Sequence, residues 1–383
     1  MDLVLTDEQL SFQRLAREFL DKEVVPYRAQ WDRDESVDTS IIPKLGEMGF
    51  FGLTIPEQYG GLGGDYITYC TGMEELGRAD SAVRGIVSVS MGLVGKVILS
   101  HGTEAQKQKW LPGIATGEVL ACFGLTEPDT GSDAGNLRTR ATRDGDDYVI
   151  DGAKMFITNG TWADLCLVFA RTGGPGPTGV SAFLVPTDLP GFGRCEIKGK
   201  LGLRGQATAE LAFDNVRVPR DALLGGEGEG FKIAMHSLDK GRVSVGAGCV
   251  GIIQGCLESV VQYSKERKQF GRQLASFQMI QDMIASISVD ADAARLLVWR
   301  AADLIEKGKP FGVEASKAKF FASEAAVRAA NLAIQAFGGY GYVDEYPVQK
   351  YMRDARVMTL YEGTSQIQKL LIGRAETGVS AFL

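Results

Sequence analysis

Apolar residues near the start of the chain recur in a helical rhythm. Phe12, Leu15, Ala16, Phe19 and Leu20 are spaced by three and one, which stacks them on one helix face. Thr6 and Gln9 precede them in the spacing of a capping box, and Pro26 predicts the end of the helix. Thr103 and Gln106 repeat the capping spacing ahead of "EAQKQKWLPGI". Between the two lies "SAVRGIVSVSMGLVGKVIL", apolar and rich in small residues, as a buried helix would be. Residues 55–65, "IPEQYGGLGGD", have the glycine and proline content of a loop. An α-helical N-terminal domain is expected over residues 1–118.

The rhythm changes over residues 119–225. "DDYVIDGAKMFITNG", "ADLCLVFART", "VSAFLVPTD" and "TAELAFDNVRVP" are short, β-branched and partly alternating, with turn residues between them. They predict an antiparallel, β-barrel-like middle domain. From residue 226 to 383 the helical pattern returns, with helices expected at roughly 228–267, 276–307, 313–337 and 363–376. Long helices joined by short connections predict a four-helix bundle. The fold class is mainly α with a central β domain.

Composition narrows the chemistry. The 383 residues are 45% hydrophobic and 23% charged, with a formal net charge of −7. An acidic balance without basic runs disfavours nucleic acid and anionic membrane as partners. No run of about 18 apolar residues is free of charge, so no membrane span is expected. "MDLVLTDEQL" lacks the regions of a signal peptide. The six cysteines are scattered without a CxxC pair, which fits reduced thiols in a cytoplasm. His101 and His236 are the only histidines, so no metal site is expected, and no GxSxG marks a serine hydrolase. Any chemistry must rest on carboxylates or a bound cofactor.

Several segments could hold such a cofactor. Gly174-Pro-Gly176-Pro-Thr-Gly179 matches GxGxxG in form, but its prolines and the strand after it make it a hairpin loop rather than a dinucleotide fingerprint. "CFGLTEPDTGSDAGN", residues 122–136, lies at a domain boundary and offers Thr126, Thr130 and Ser132 hydroxyls. It reads equally as a polar interdomain loop. In "MFITNG", Phe156 and Thr158 share one strand face; a ring beside a hydroxyl suits an aromatic cofactor, and a core phenylalanine is the plainer reading. "YSKERKQFGRQL" places Arg267 and other cations near Phe270, suited to pyrophosphate or to a solvated helix end. "AFGGYGYVDEYP" follows a long helix, with Gly338 as its C-cap. Near the end, "LYEGTSQIQ" carries Glu362 just before a helix start that Thr364 or Ser365 can cap. An acid at a helix entry is the ordinary explanation for it.

Taken together, "GLTEPDTGSD", "FITNG", "KLGLRG", "ERKQFG", "QAFGGYGY" and "RDARVMTLYEGTSQIQ" occur in an order that resembles the acyl-CoA dehydrogenase family along essentially the whole chain. The resemblance implies FAD as cofactor, a homotetramer, and an electron-transferring flavoprotein as electron acceptor. It implies that Glu362 is the base removing the α-proton of an acyl-CoA while hydride passes to flavin N5. Phe123, Leu125, Thr126 and Ser132 would line the flavin, with Ser132 also facing the thioester. Phe156, Ile157 and Thr158 would contact the flavin ring. Arg267, Phe270, Gln278, Gln335, Ala336, Phe337, Gly338 and Gly339 would hold the adenosine diphosphate portion across a subunit contact, and Thr364 and Gln366 would complete the FAD site. Asp239, Arg242 and Gly363 fall at substrate positions, and the Glu362 N–H would polarise the thioester carbonyl.

The chain departs from the family pattern at informative places. Some relatives carry the base just before the arginine of "LDKGR", where Gly241 stands here. Phe156 replaces a common tryptophan, and "LRGQAT" lacks a serine often found there, which keeps a carrier-protein thioester open as substrate. Arg84 is the only charge between Asp80 and Lys96, and Ser88 lies one turn on. Glutaryl-CoA dehydrogenases have an arginine and a serine so placed, but the acid expected seven residues earlier is Gly77. Arg84 therefore either grips a distal substrate carboxylate or pairs with Asp80. The expected activity is α,β-dehydrogenation of a short or branched acyl-CoA. Oxidative decarboxylation of a dicarboxylic thioester such as glutaryl-CoA is the alternative, and a DNA- or partner-binding flavoprotein is the alternative of another class.

Overall fold

The computed structural model describes residues 4–381. Both capping boxes are present: Thr6 and Thr103 accept from the Gln9 and Gln106 amides, and each glutamine side chain returns the bond. The first helix, Asp7–Glu23, stops three residues short of Pro26. Helices Arg28–Asp34, Ile41–Glu47, Tyr66–Ala79 and Glu104–Thr116 join it. The small-residue segment is one buried rod, Ser81–His101, whose middle, Ser88–Gly95, widens into π-helix.

The β region holds strands β1 (Ala121–Gly124), β2 (Arg140–Asp144), β3 (Asp147–Thr158), β4 (Leu165–Arg171), β5 (Val180–Pro186), β6 (Phe192–Glu196), β7 (Thr208–Pro219) and β8 (Leu223–Leu224). Their order is β6-β7-β3-β2-β4-β5-β8, with β1 beside β4. Most pairs are antiparallel, as the alternation predicts, but β1 runs parallel to β4 and β2 meets β4 at one parallel pair. The β2–β3 hairpin intervenes between β1 and β4, so the chain crosses over before β4 and returns in the same direction. The Gly174–Gly179 loop joins antiparallel β4 and β5, as a hairpin should.

Five helices close the chain: Gly230–Glu266, Gln278–Glu306, Gly312–Phe337, Val348–Met358 and Ser365–Thr377. The fourth is additional to the expected bundle. It buries Val348, Tyr351, Ala355 and Met358 at spacings of three and four, a stripe hidden by the turn-rich segment before it. Two rods, Ser81–His101 and Gly230–Glu266, are long and apolar enough to cross a membrane, but 94% and 78% of their most apolar windows are buried inside the protein. They are core helices.

Glycines set how closely the core helices approach. A Cβ on Gly77 would lie 2.3 Å from the Gly248 carbonyl oxygen, and one on Gly251 would lie 2.0 Å from that of Glu74. Helices Tyr66–Ala79 and Gly230–Glu266 thus cross in backbone contact. On the same helix, a Cβ on Gly248 would meet the Arg84 side chain at 2.4 Å. That crossing brings Arg84 to the bundle end where Glu362 lies.

Candidate active site

Glu362 sits in a strained turn between Val348–Met358 and Ser365–Thr377. Its φ is 52°, and that of Gly363 is 89°. A glutamate in left-handed backbone costs roughly 1–3 kcal/mol and persists only when its surroundings hold it. They do so here through both carbonyls. Lys319 Nζ donates to the Gly363 oxygen at 2.8 Å. Gln368 Nε2 donates to the Glu362 oxygen at 3.3 Å and the Gly363 oxygen at 3.0 Å. Thr364 caps the next helix by accepting from the Ile367 amide.

The side chain of Glu362 turns inward. Its Oε2 is out of solvent and has no hydrogen-bond partner, and its N–H bonds to no described residue. The space for the carboxylate exists because residue 241 is glycine: a Cβ there would lie 2.0 Å from Oε2. Burial raises the carboxyl pKa, while Arg84, Lys319 and Arg242 pull it back; the net shift is upward. A dry carboxylate with raised proton affinity is a stronger base than one in water.

Arg84 is 2% exposed. Its Nη2 donates to the Tyr361 hydroxyl at 2.7 Å, while Nε and Nη1 are buried without partners. The pairing with Asp80 does not form. Asp80 instead caps its helix through the Ala82 and Val83 amides and meets Lys350 Nζ at 3.0 Å. Ser88 is buried one turn beyond Arg84, its hydroxyl 3.4 Å from the Gly85 carbonyl. Arg242 is held by Asp239 on its own helix and keeps a buried, unpartnered Nε.

The two segments expected to line the flavin meet across one ion pair. Lys154, wholly buried on β3, donates to the Glu127 carboxylate at 2.8 Å and the Leu125 carbonyl at 3.2 Å. Glu127 also accepts from the Arg138 and Thr139 amides. The loop with Leu125, Thr126 and Ser132 is thereby stapled to the strand with Phe156 and Thr158. Phe156 has φ 60° at a register shift in β3, and its ring is 67% exposed. The Ile157 side chain is packed into the sheet core, which leaves its backbone for the expected flavin contact. Asn159 Nδ2 donates to the Ile86 and Ala121 carbonyls, and Thr158 Oγ1 lies 3.4 Å from Gln206 Oε1. These contacts set the end of β3 against the helix that carries Arg84.

A separate cleft of about 760 Å³ is lined by Arg267, Gln335, Ala336, Phe337, Gly338 and Gly339, among others. The Arg267 guanidinium lies over the Tyr340 ring, and beyond the adjoining residues nothing lies within 4 Å of a Cβ placed on Gly338 or Gly339. Phe270 and Gln278 do not line this cleft. Phe270 is 93% exposed with φ 52°, and Gln278 is exposed at the start of its helix. Their sequence neighbours Gln269, Leu274 and Ile280 do line the cleft. Thr364 and exposed Gln366 lie past the Glu362 turn.

Three family models match the chain in order: the acyl-CoA dehydrogenase N-terminal domain at residues 6–118, the middle domain at 122–216 and the C-terminal domain at 228–377. The chain belongs to the acyl-CoA dehydrogenase family. It is 45% identical over 371 residues to an acyl-CoA dehydrogenase of Bacillus subtilis, covering 97% of this chain and 98% of that one. Butyryl-CoA dehydrogenase of Megasphaera elsdenii superposes with a TM-score of 0.96 at 42% identity, covering 98% of this chain and 100% of that one. A glutaryl-CoA dehydrogenase of Mycobacterium smegmatis in complex with FADH2 superposes with a TM-score of 0.95 at 34% identity, covering 99% and 97%.

This acyl-CoA dehydrogenase is therefore an FAD-dependent oxidoreductase acting on CH–CH groups. Its residues fit the cofactor: the open glycine backbone and Arg267 in the cleft suit a diphosphate, and the exposed Phe156 ring and stapled loop offer a flat apolar wall. Sequence reasoning missed Lys319, Gln368, Tyr361 and the Lys154–Glu127 pair as parts of the site. Lys319 could have been found, because it falls on the stripe of buried alanines Ala315, Ala318, Ala322 and Ala326. A lysine on an apolar stripe needs a reason to be there.

Proposed function

We propose that this acyl-CoA dehydrogenase converts a short or branched acyl-CoA to the 2-enoyl-CoA, with Glu362 as the base. Desaturation takes a proton from the α-carbon and a hydride from the β-carbon. Bound FAD supplies the hydride acceptor, at N5 of its flavin. The protein supplies the rest. The free Glu362 N–H can donate to the thioester carbonyl and stabilise the charge that develops there. The inward carboxylate takes the α-proton. By the family resemblance, Asp239 and Arg242 would contact the CoA portion and Ser132 the thioester. The reading is carried by Glu362 Oε2, buried and unpartnered in the space Gly241 leaves. The test is Glu362→Gln, assayed with a panel of acyl thioesters and a dye acceptor. A loss of about 10²–10⁴-fold in kcat with flavin retained is expected for a removed base. Turnover within a few fold of wild type would overturn it.

A second reading, oxidation of a dicarboxylic thioester with or without CO₂ release, is favoured by one observation. Arg84 Nε and Nη1 are buried without partners, an arrangement that a distal carboxylate would satisfy and a plain alkyl chain would not. A carrier-protein thioester is the further substrate reading, motivated by the "LRGQAT" segment, which lacks a serine often found in the family. The enzyme is further proposed to work as a cytoplasmic homotetramer and to pass electrons to an electron-transferring flavoprotein. The exposed apolar Phe270, Met279 and Val289 support a subunit contact on that side of the bundle. The DNA-binding alternative lacks support from the acidic charge.

A further inference from the structure

We propose that Lys319 is a positioning residue for the base: its ammonium clasps the turn that carries Glu362 and places positive charge beside the carboxylate. The proposal rests on the reading of Glu362 as the base. Lys319 is 0% exposed. The one side-chain hydrogen bond it makes among the described residues is to the Gly363 carbonyl, at 2.8 Å. A single neutral carbonyl is poor compensation for burying an ammonium, and an apolar residue of like length would pack there at lower cost. What a lysine offers beyond packing is a donor to the strained turn and a charge.

Both matter at this position. Glu362 and Gly363 are consecutive left-handed residues, so their peptide groups need outside partners. Gln368 grips both carbonyls from the following helix, and Lys319 grips the second from the helix Gly312–Phe337. The groups around the Glu362 carboxylate are Arg84 from Ser81–His101, Arg242 from Gly230–Glu266, and Lys319, with the Tyr69 and Tyr361 hydroxyls nearby. Around Lys319 are Cys249 and Arg242 from Gly230–Glu266, Glu362 from the turn, and Glu324 from its own helix. Glu324 accepts from the Ser365 hydroxyl. Of the three cations, only Lys319 changes charge in the range where an enzyme is assayed, because burial brings its pKa down to about 8. Arginines stay charged throughout.

The sign follows. Glu362 must be ionised to accept a proton, so turnover falls as pH drops through its raised pKa. A neighbouring cation opposes that rise, and removing it moves the acid limb of the kcat profile to higher pH. A shift of about 1 pH unit is expected for loss of one close opposite charge. The experiment records kcat against pH with the best thioester of the panel for Lys319→Met, Lys319→Gln and Lys319→Arg. Flavin content and melting temperature are measured alongside. Lys319→Met and Lys319→Gln should move the acid limb up; Lys319→Arg should restore it. Gln keeps a donor for the Gly363 carbonyl, so where Lys319→Met does not fold, Gln against Arg decides. An acid limb unmoved in folded Lys319→Gln overturns the proposal, since a purely structural lysine would lower stability without moving that limb. Wild-type turnover by Glu362→Gln would instead overturn the assignment of the base.

Discussion

Replacing Gly241 with alanine should separate catalysis from stability in this enzyme. Gly241 lies within a helix, where alanine is normally better than glycine by about 0.8–1.0 kcal/mol. The added Cβ, however, would stand 2.0 Å from Glu362 Oε2, 2.8 Å from Leu93 Cδ2 and 3.0 Å from Glu362 Cδ. Ordinary contact begins at 3.4 Å, so the carboxylate must retreat by about 1.4 Å. The obstacles are the ends of two side chains, Glu362 and Leu93, not backbone, and the fold can absorb them. Overpacking of this kind costs about 1–3 kcal/mol, partly offset by the helix gain, so the melting temperature should change by only a few degrees. The reacting geometry is less forgiving: a displacement of about 1 Å costs on the order of 10²-fold in rate. The assay is kcat with a dye acceptor, beside flavin absorbance and thermal melting. Gly241→Ala should lose about 10²-fold in kcat while keeping its flavin. Full turnover in the folded variant would show that Oε2 does not work from the position that Gly241 leaves open.

Other outcomes follow from the same site. Arg84→Ala, assayed well above the acid limb, should lower kcat/KM for dicarboxylic thioesters by at least about 30-fold, the loss typical of a truncated buried charge pair. An equal loss on butyryl-CoA would mean that Arg84 serves Tyr361 and the fold, not a substrate carboxylate. Lys154→Met leaves Glu127 buried without its cation, a change worth about 3–5 kcal/mol in comparable pairs. The loop 122–136 should loosen, and the variant should release FAD on dilution more readily than wild type, read by flavin fluorescence. Unchanged flavin affinity would show that the loop does not depend on this pair.

The elements with long, one-sided apolar stripes were legible from sequence because burial alone specifies them. Asp7–Glu23, with its capping box, and the three long helices Gly230–Glu266, Gln278–Glu306 and Gly312–Phe337 are of this kind. Val348–Met358 carries a stripe as regular as theirs but is short and follows a turn-rich run, so periodicity gave little to distinguish it. The parallel pairing of β1 was not legible, since strand direction depends on the path between strands and not on their alternation. Glu362 could be picked out by motif, but not the burial of its carboxylate, which depends on a glycine 121 residues earlier. The two readings of Arg84 could not be separated by spacing, because Asp80 lies within reach at i−4 in any helix. Lys350, far away in sequence, takes Asp80 and leaves Arg84 its unpaired nitrogens.

The glycine crossing between Tyr66–Ala79 and Gly230–Glu266 has a bearing on how this pocket could change its substrate. Installing an acid at position 77, where relatives that handle glutaryl thioesters are expected to have one, would push a Cβ to 2.3 Å from a carbonyl of the facing helix. That obstacle is main chain and cannot swing aside. If Arg84 faces the acyl chain as proposed, a new selectivity there would require two rods to part and Arg84 to lose its seat against Gly248. Spacing between helices, more than the identity of any one side chain, limits what the pocket can be converted to accept.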